Sequence, residues 1–154
     1  MNEKWQERTR LLAGEKTLER YANAHVLVVG LGGVGAYAAE QLCRAGIGEM
    51  TIVDADNVDI TNINRQLLAT TESIGTSKVS VMAQRLRSIN PDIRLHEVHE
   101  FLRDEGTIRL LESTKFDYVV DAIDTLSPKV FLIYFTMKMN IPLVSAMGAG
   151  GKWD

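Results

Sequence analysis

Residues 25–35 read His25-Val26-Leu27-Val28-Val29-Gly30-Leu31-Gly32-Gly33-Val34-Gly35, an apolar run that ends in a Gly-x-Gly-x-x-Gly loop. A strand that is apolar at successive positions suits a parallel sheet buried on both faces. The loop opens a helix from Ala36 to Ala45, where Gly35, Ala38, Ala39, Leu42 and Cys43 share one face at spacings of three and four. Residues this small let the helix lie close to a sheet. Gly46 and Gly48 punctuate, and Met50-Thr51-Ile52-Val53-Asp54 reads as a second strand, which completes a βαβ unit.

The same alternation continues outward. Val79, Met82, Leu86 and Ile89 recur at helical steps between Lys78 and Ile89, and Asn90-Pro91 stops them. Arg94 to Val98 then reads as a third strand, Asp104 to Leu111 as a short helix, and Phe116 to Ala122 as a fourth strand. Leu126 to Lys138 reads as another helix and Pro142 to Ala146 as a fifth strand. Strands alternating with helices predict an α/β, Rossmann-like, doubly wound and mainly parallel sheet with helices on both faces. Any ligand crevice is expected at the carboxyl ends of the strands.

Composition sets the outer limits. With 154 residues, 45% hydrophobic and 24% charged, the chain is expected to form one globular domain, preceded by a helical arm to about residue 24. Seventeen Lys and Arg against 20 Asp and Glu leave a formal charge of −3, which argues against binding nucleic acid through overall positive charge. Cys43 is the only cysteine, which excludes an intrachain disulfide and a cysteine-built zinc site within these residues. It sits on the small-residue helix face and reads as core rather than as a nucleophile. No apolar signal core follows Met1, and no uncharged stretch approaches the ~18 residues of a membrane span. The expected setting is soluble and cytoplasmic, without a membrane partner.

A Gly-x-Gly-x-x-Gly loop between strand and helix lets backbone N–H groups approach a phosphate, where the helix N-terminus adds partial positive charge. Gly30, Gly32, Gly33 and Gly35 supply that loop, and Asp54, at the end of the second strand, is placed to accept hydrogen bonds from ribose hydroxyls. Loop and acid predict a nucleotide site without separating NAD from ATP. His25, His96 and His99 read as surface or satisfied structural histidines.

A polar, aperiodic stretch follows the second strand directly, from Asp54 through Asp56, Asn62, Arg65 and Gln66 to Lys78. It is expected to fold over the ligand. Asn62 offers an amide, Arg65 a planar fork for phosphate oxygens, and Lys78 a cation at a helix start, where the helix dipole disfavours it. A cation at that end points to an anionic partner.

The glycine loop, Asp54-x-Asp56, Asn62-x-x-Arg65-Gln66, Lys78 and Asp121-Ala122-Ile123-Asp124 together resemble the adenylating superfamily. That superfamily includes ubiquitin-activating enzymes and the bacterial activators of sulfur-carrier proteins. The resemblance covers nearly the whole chain. It implies that ATP and Mg²⁺ are bound, that Asp54 holds the ribose, that Arg65 and Lys78 brace the phosphates, and that Asp124 organises the metal. It further implies a homodimer in which Arg10 reaches the neighbouring subunit's ATP, contact with a sulfur-transfer partner protein, and a chain that continues beyond Asp154. Trp5 and Tyr21 in the arm, as exposed aromatics, are expected to serve that dimer.

The carrier-protein activators usually show Asp-Asn with an arginine three positions on, whereas this chain reads Asp124-Thr125-Leu126-Ser127-Pro128-Lys129. With Ile141-Pro142-Leu143-Val144 and Gly148-Ala149-Gly150-Gly151, it looks instead like the tRNA threonylcarbamoyladenosine dehydratases. That resemblance implies ATP-dependent activation of the threonyl carboxylate of a modified adenosine beside the anticodon, followed by ring closure. The alternative is adenylation of the C-terminal Gly-Gly of a ubiquitin-like sulfur carrier.

Overall fold

Helices and strands alternate along residues 3–148, the part of the chain that the computed structural model describes. Helices α1 (Glu7–Ala13) and α2 (Glu15–Asn23) form the arm and lead into β1 (His25–Val29). Then come α3 (Gly35–Ala45), β2 (Glu49–Val53), α4 (Lys78–Ile89), β3 (Arg94–Val98), α5 (Asp104–Ser113), β4 (Tyr118–Asp121), α6 (Leu126–Lys138) and β5 (Leu143–Ser145). The strands lie in the order β3-β2-β1-β4-β5 and pair in parallel at every ladder. The doubly wound reading therefore holds, and the chain reverses its winding direction between β1 and β4. In open α/β sheets that switch point opens a crevice.

Alternation along the central strand divides the core in two. Val26 and Val28 face α3 and α4, packing with Ala36, Ala39, Cys43, Met82 and Leu86. Leu27 and Val29 face the other way, against Leu111 of α5 and Leu132 of α6. Burial on both faces is why β1 is apolar from Val26 to Val29. Burial also raises the Cys43 thiol to about 11, so at neutral pH it stays protonated and inert. No helix among the described residues is long and apolar enough to cross a membrane.

The structure adjusts several expected boundaries. The second strand runs one residue earlier than expected, so Asp54 stands just beyond it with its N–H on the Val98 carbonyl at 3.2 Å. The fourth and fifth strands are shorter than expected, because only Tyr118–Asp121 and Leu143–Ser145 stay in the ladder. In the arm, Gly14 takes φ 82 and breaks the lead-in into two helices. An Arg10–Glu15 pair at 2.7 Å spans the break. Tyr21 is not an exposed aromatic: it is half-buried against the α3/α4 core, and Trp5 is half-buried as well. Aromatic exposure in the arm therefore gives no support to a dimer.

On α3, the buried Glu40 carboxylate pairs with Arg44 at 2.8 Å and, more closely, with Arg85 of α4. The Arg85 hydrogen bond holds Glu40 below the usual carboxylate range. A carboxyl lowered in the folded state contributes stability above its unfolded pKa and loses that contribution as acid protonates it. Glu40→Gln is expected to cost about 1–2 kcal/mol near neutral pH, since both guanidinium groups are partly exposed. Urea denaturation measured across pH should show the gap between the two proteins closing below the ordinary glutamate range.

Candidate nucleotide-binding site

A cleft of about 340 Å³ opens at the carboxyl ends of β1, β2 and β4, beside the switch point. Its volume lies in the range of small-molecule sites. Gly30, Gly32, Gly33, Asp54, Asp56, Arg65, Gln66, Lys78 and Asp124 all line it. Phe101, Leu102, Ile123 and Met147 add apolar wall.

The four loop glycines divide by cause. Gly30 takes φ 91, and a Cβ there would stand 2.6 Å from the Ala122 carbonyl oxygen; at Gly35 it would stand 1.7 Å from the Gly30 carbonyl oxygen. Those two glycines permit close helix-to-sheet packing, and Gly35 is absent from the cleft lining. At Gly32 and Gly33 a Cβ would come no closer than 3.7 Å to any neighbouring atom. The protein itself leaves these two positions room, and the open cleft in front of them is where a phosphate can approach backbone N–H groups.

Asp54 is fixed by the loop it faces. Its Oδ2 accepts from Leu31 N at 2.7 Å and its Oδ1 from Asp56 N at 2.8 Å. Each oxygen keeps capacity for a further donor, which is what a pair of ribose hydroxyls requires. Lys78, the first residue of α4, is buried and reaches the exposed Asp56 carboxylate at 3.1 Å. Its position at the helix start is thus offset by a carboxylate at the cleft rim.

The stretch after β2 does close back. Val58 N donates to Thr76 O and Gly75 N to Val58 O, both at 2.8 Å, while buried Leu68 and Ala69 anchor the turn between. Arg65 projects from it, exposed, with Nη1 on Thr61 O at 3.0 Å and Asn64 Oδ1 at 2.9 Å. These are local contacts that leave most of the guanidinium fork available.

Three expected site residues are not among those that line the cleft. Asn62 is buried, and its Oδ1 accepts from Asp59 N at 3.0 Å in a capping box around the 3-10 turn Ile60–Asn62, so its carbonyl holds the loop rather than a ligand. Arg10 lies on α1 outside the cleft lining, paired with Glu15. Gly35 serves packing, as above. Asp124, by contrast, is exposed at the cleft, and the cap residue of α6 is Thr125. Ala149, Gly150 and Gly151 of the expected glycine-rich turn lie outside the described residues.

One element of the site was not read from the sequence. Lys129 is buried on α6 and its Nζ donates to Asp121 Oδ2 at 2.6 Å, Ala146 O at 2.9 Å and Ser145 Oγ at 3.3 Å. Ser145 Oγ also donates to Asp121 Oδ2 at 2.5 Å, and Ile123 N donates to Asp121 Oδ1 at 3.0 Å. This cluster ties β4, β5 and α6 together directly beneath Ile123 and Asp124. Its sequence signal was a lone lysine within Lys129-Val130-Phe131-Leu132-Ile133-Tyr134-Phe135, since a charge inside an apolar helix needs a buried partner.

The family model for ThiF proteins matches residues 6–152. The chain belongs to the ThiF family. It is 44% identical over its full length to the tRNA threonylcarbamoyladenosine dehydratase of Escherichia coli strain K12, of which it covers 58%. It is 43% identical over 96% of its length to the Bacillus subtilis strain 168 enzyme of the same name, again covering 58% of that protein. The fold matches the crystal structure of the E. coli enzyme in complex with ATP with a TM-score of 0.94, over 99% of this chain and 62% of that one. The chain thus spans about three fifths of the relatives it matches.

Proposed function

We propose that this ThiF-family protein is an ATP-dependent tRNA-modifying dehydratase. It activates the threonyl carboxylate of tRNA threonylcarbamoyladenosine and closes it into a ring. A carboxylate oxygen attacks the α-phosphorus of ATP, the bond to pyrophosphate breaks, and an acyl-adenylate forms. A nitrogen or oxygen of the same modification then attacks the acyl carbon, its proton leaves, and AMP departs. No enzyme nucleophile is required, consistent with the inert Cys43.

The observation that carries the reaction class is the convergence of Asp54, Arg65, Lys78 and Asp124 on one glycine-floored cleft. Joining two anions needs positive charge around the reacting phosphate more than it needs covalent help. Asp54 orients the ribose, the backbone at Gly32 and Gly33 receives the phosphates, and Lys78 and Arg65 offset their charge. Mg²⁺ binds through a carboxylate and substrate phosphates, which suits the exposed Asp124, and when bound it neutralises phosphate charge. Likeness to dehydratases along the whole chain supports tRNA as the substrate. Homodimerisation with Arg10 reaching a partner's ATP, docking of a sulfur-transfer protein, and cytoplasmic location belong to the same reading and rest on the family resemblance.

The test is incubation of the protein with ATP, Mg²⁺ and tRNA bearing the modification. Loss of one water from the modified nucleoside by mass spectrometry supports the proposal. Pyrophosphate exchange that instead requires a carrier protein ending in Gly-Gly replaces it with the alternative.

The glycines give an independent check. Gly35→Ala is expected to destabilise the fold by about 1–3 kcal/mol or more through overpacking against Gly30. Gly33→Ala should change stability by less than about 0.5 kcal/mol, yet weaken ATP binding. Thermal unfolding beside ATP titration of both variants separates the two roles.

A further inference from the structure

The nucleotide cleft uses the carboxyl ends of the strands, and the amino end of the same sheet carries a second cluster of ligating side chains. His25 opens β1, Glu49 opens β2 in register beside it, and His96 on β3 pairs with Thr51 two residues along β2. Parity places all three on the α5/α6 face of the sheet. One ligand atom from each, two imidazole nitrogens and a carboxylate oxygen, lie within 4.8 Å of one another. His96 Nε2 is 2.8 Å from Glu49 Oε1, and His25 Nδ1 is 3.7 Å from the same oxygen. The longer distance exceeds a hydrogen bond and leaves both atoms with capacity for a shared partner.

The surroundings orient each group. His25 Nε2 lies 2.8 Å from Thr51 Oγ1, and the Phe116 ring packs against the imidazole at 4.7 Å between centroids, so Nδ1 is held toward Glu49. Arg94 takes Glu49 Oε2 through Nη2 at 2.9 Å and Nε at 3.2 Å, which turns Oε1 to the histidines. Asp117 adds negative charge at the same edge, with its Oδ2 accepting from His25 N at 2.9 Å. Histidines whose second nitrogen and carboxylates whose second oxygen are already engaged are the usual make-up of protein metal sites.

We propose that His25, Glu49 and His96 bind one divalent transition ion of the zinc class, at a site separate from the nucleotide cleft. Two imidazole nitrogens and a carboxylate oxygen suit Zn²⁺ and its neighbours, whereas Mg²⁺ and Ca²⁺ take oxygen donors. His25 is buried and fixed, while His96 is half exposed on the edge strand and supplies the small movement that closes the donors on the ion. Solvent on the His96 side leaves room for water as the fourth ligand. The bound ion joins edge strand β3 to β1 across β2, roughly 13–17 Å along the strands from the cleft.

The test uses the chelator-stripped protein without nucleotide, titrated with Co²⁺ as the absorbing probe and then with Zn²⁺ in competition. The wild type should show saturable visible absorption at one ion per chain, displaced by Zn²⁺, and Zn²⁺ should raise its Tm. His96→Ala and Glu49→Gln, both at accessible positions, are expected to bind about 10–100-fold more weakly and to lose the Tm shift. His99→Ala should bind as the wild type, since His99 bonds the Ala55 carbonyl at the far end of the sheet. No saturable signal in the wild type, equal affinity in His96→Ala, or loss in His99→Ala would overturn the proposal.

Discussion

Arg65→Ala should lower kcat/KM for ATP-dependent dehydration of the modified tRNA by about 10²–10³-fold, the usual loss when one charge-stabilising donor is removed. The same variant should unfold within about 0.5 kcal/mol of the wild type, because an exposed side chain held only by local contacts carries little stability. Both expectations rest on one geometry: Arg65 lines the cleft, yet its described hydrogen bonds reach no further than Thr61 and Asn64. Arg65→Lys keeps the charge and loses the planar fork, so it should recover only part of the rate. Steady-state kinetics beside thermal unfolding decide the matter. A stability loss that tracked the activity loss would make Arg65 a structural residue.

Lys129→Met should destabilise the protein by about 3–5 kcal/mol, since it leaves the Asp121 carboxylate buried without its cation. Asp121 is fully buried, and Lys129 also donates to Ser145 and Ala146, so the change strips three contacts from the floor of the cleft. The double variant Asp121→Asn with Lys129→Met should recover much of that loss, because the uncompensated charge is gone. Guanidinium chloride denaturation of both single variants and the double one measures the coupling. Additive losses would show that the pair does not act as a unit.

Much of this architecture was legible because it depends on local patterns. The apolar run from His25 announced the first strand, and the Lys78–Ile89 periodicity announced a helix whose limits the structure reproduces. The cleft residues Asp54, Arg65, Lys78 and Asp124 were legible from residue type and from their place after strands or at a helix start. Asn62 was read as offering an amide to a ligand, and the structure shows its carbonyl oxygen accepting from Asp59 N within the loop. The spacing Asp59-x-x-Asn62 carried the capping signal. Four glycines look alike in a motif, and only the distance from each Cβ position to Gly30 or Ala122 separates packing from ligand access. The Lys129–Asp121 pair and the His25, Glu49 and His96 cluster depend on register and crossover, which bring together residues far apart in sequence.

The proposed adenylation cleft is tested most directly by calorimetric titration of this chain with ATP and Mg²⁺, beside NAD, for the wild type and Arg65→Ala. Binding of ATP that weakens in the variant, with no comparable binding of NAD, is the expected result. Tight binding of NAD without ATP would keep the fold and contradict the adenylation chemistry.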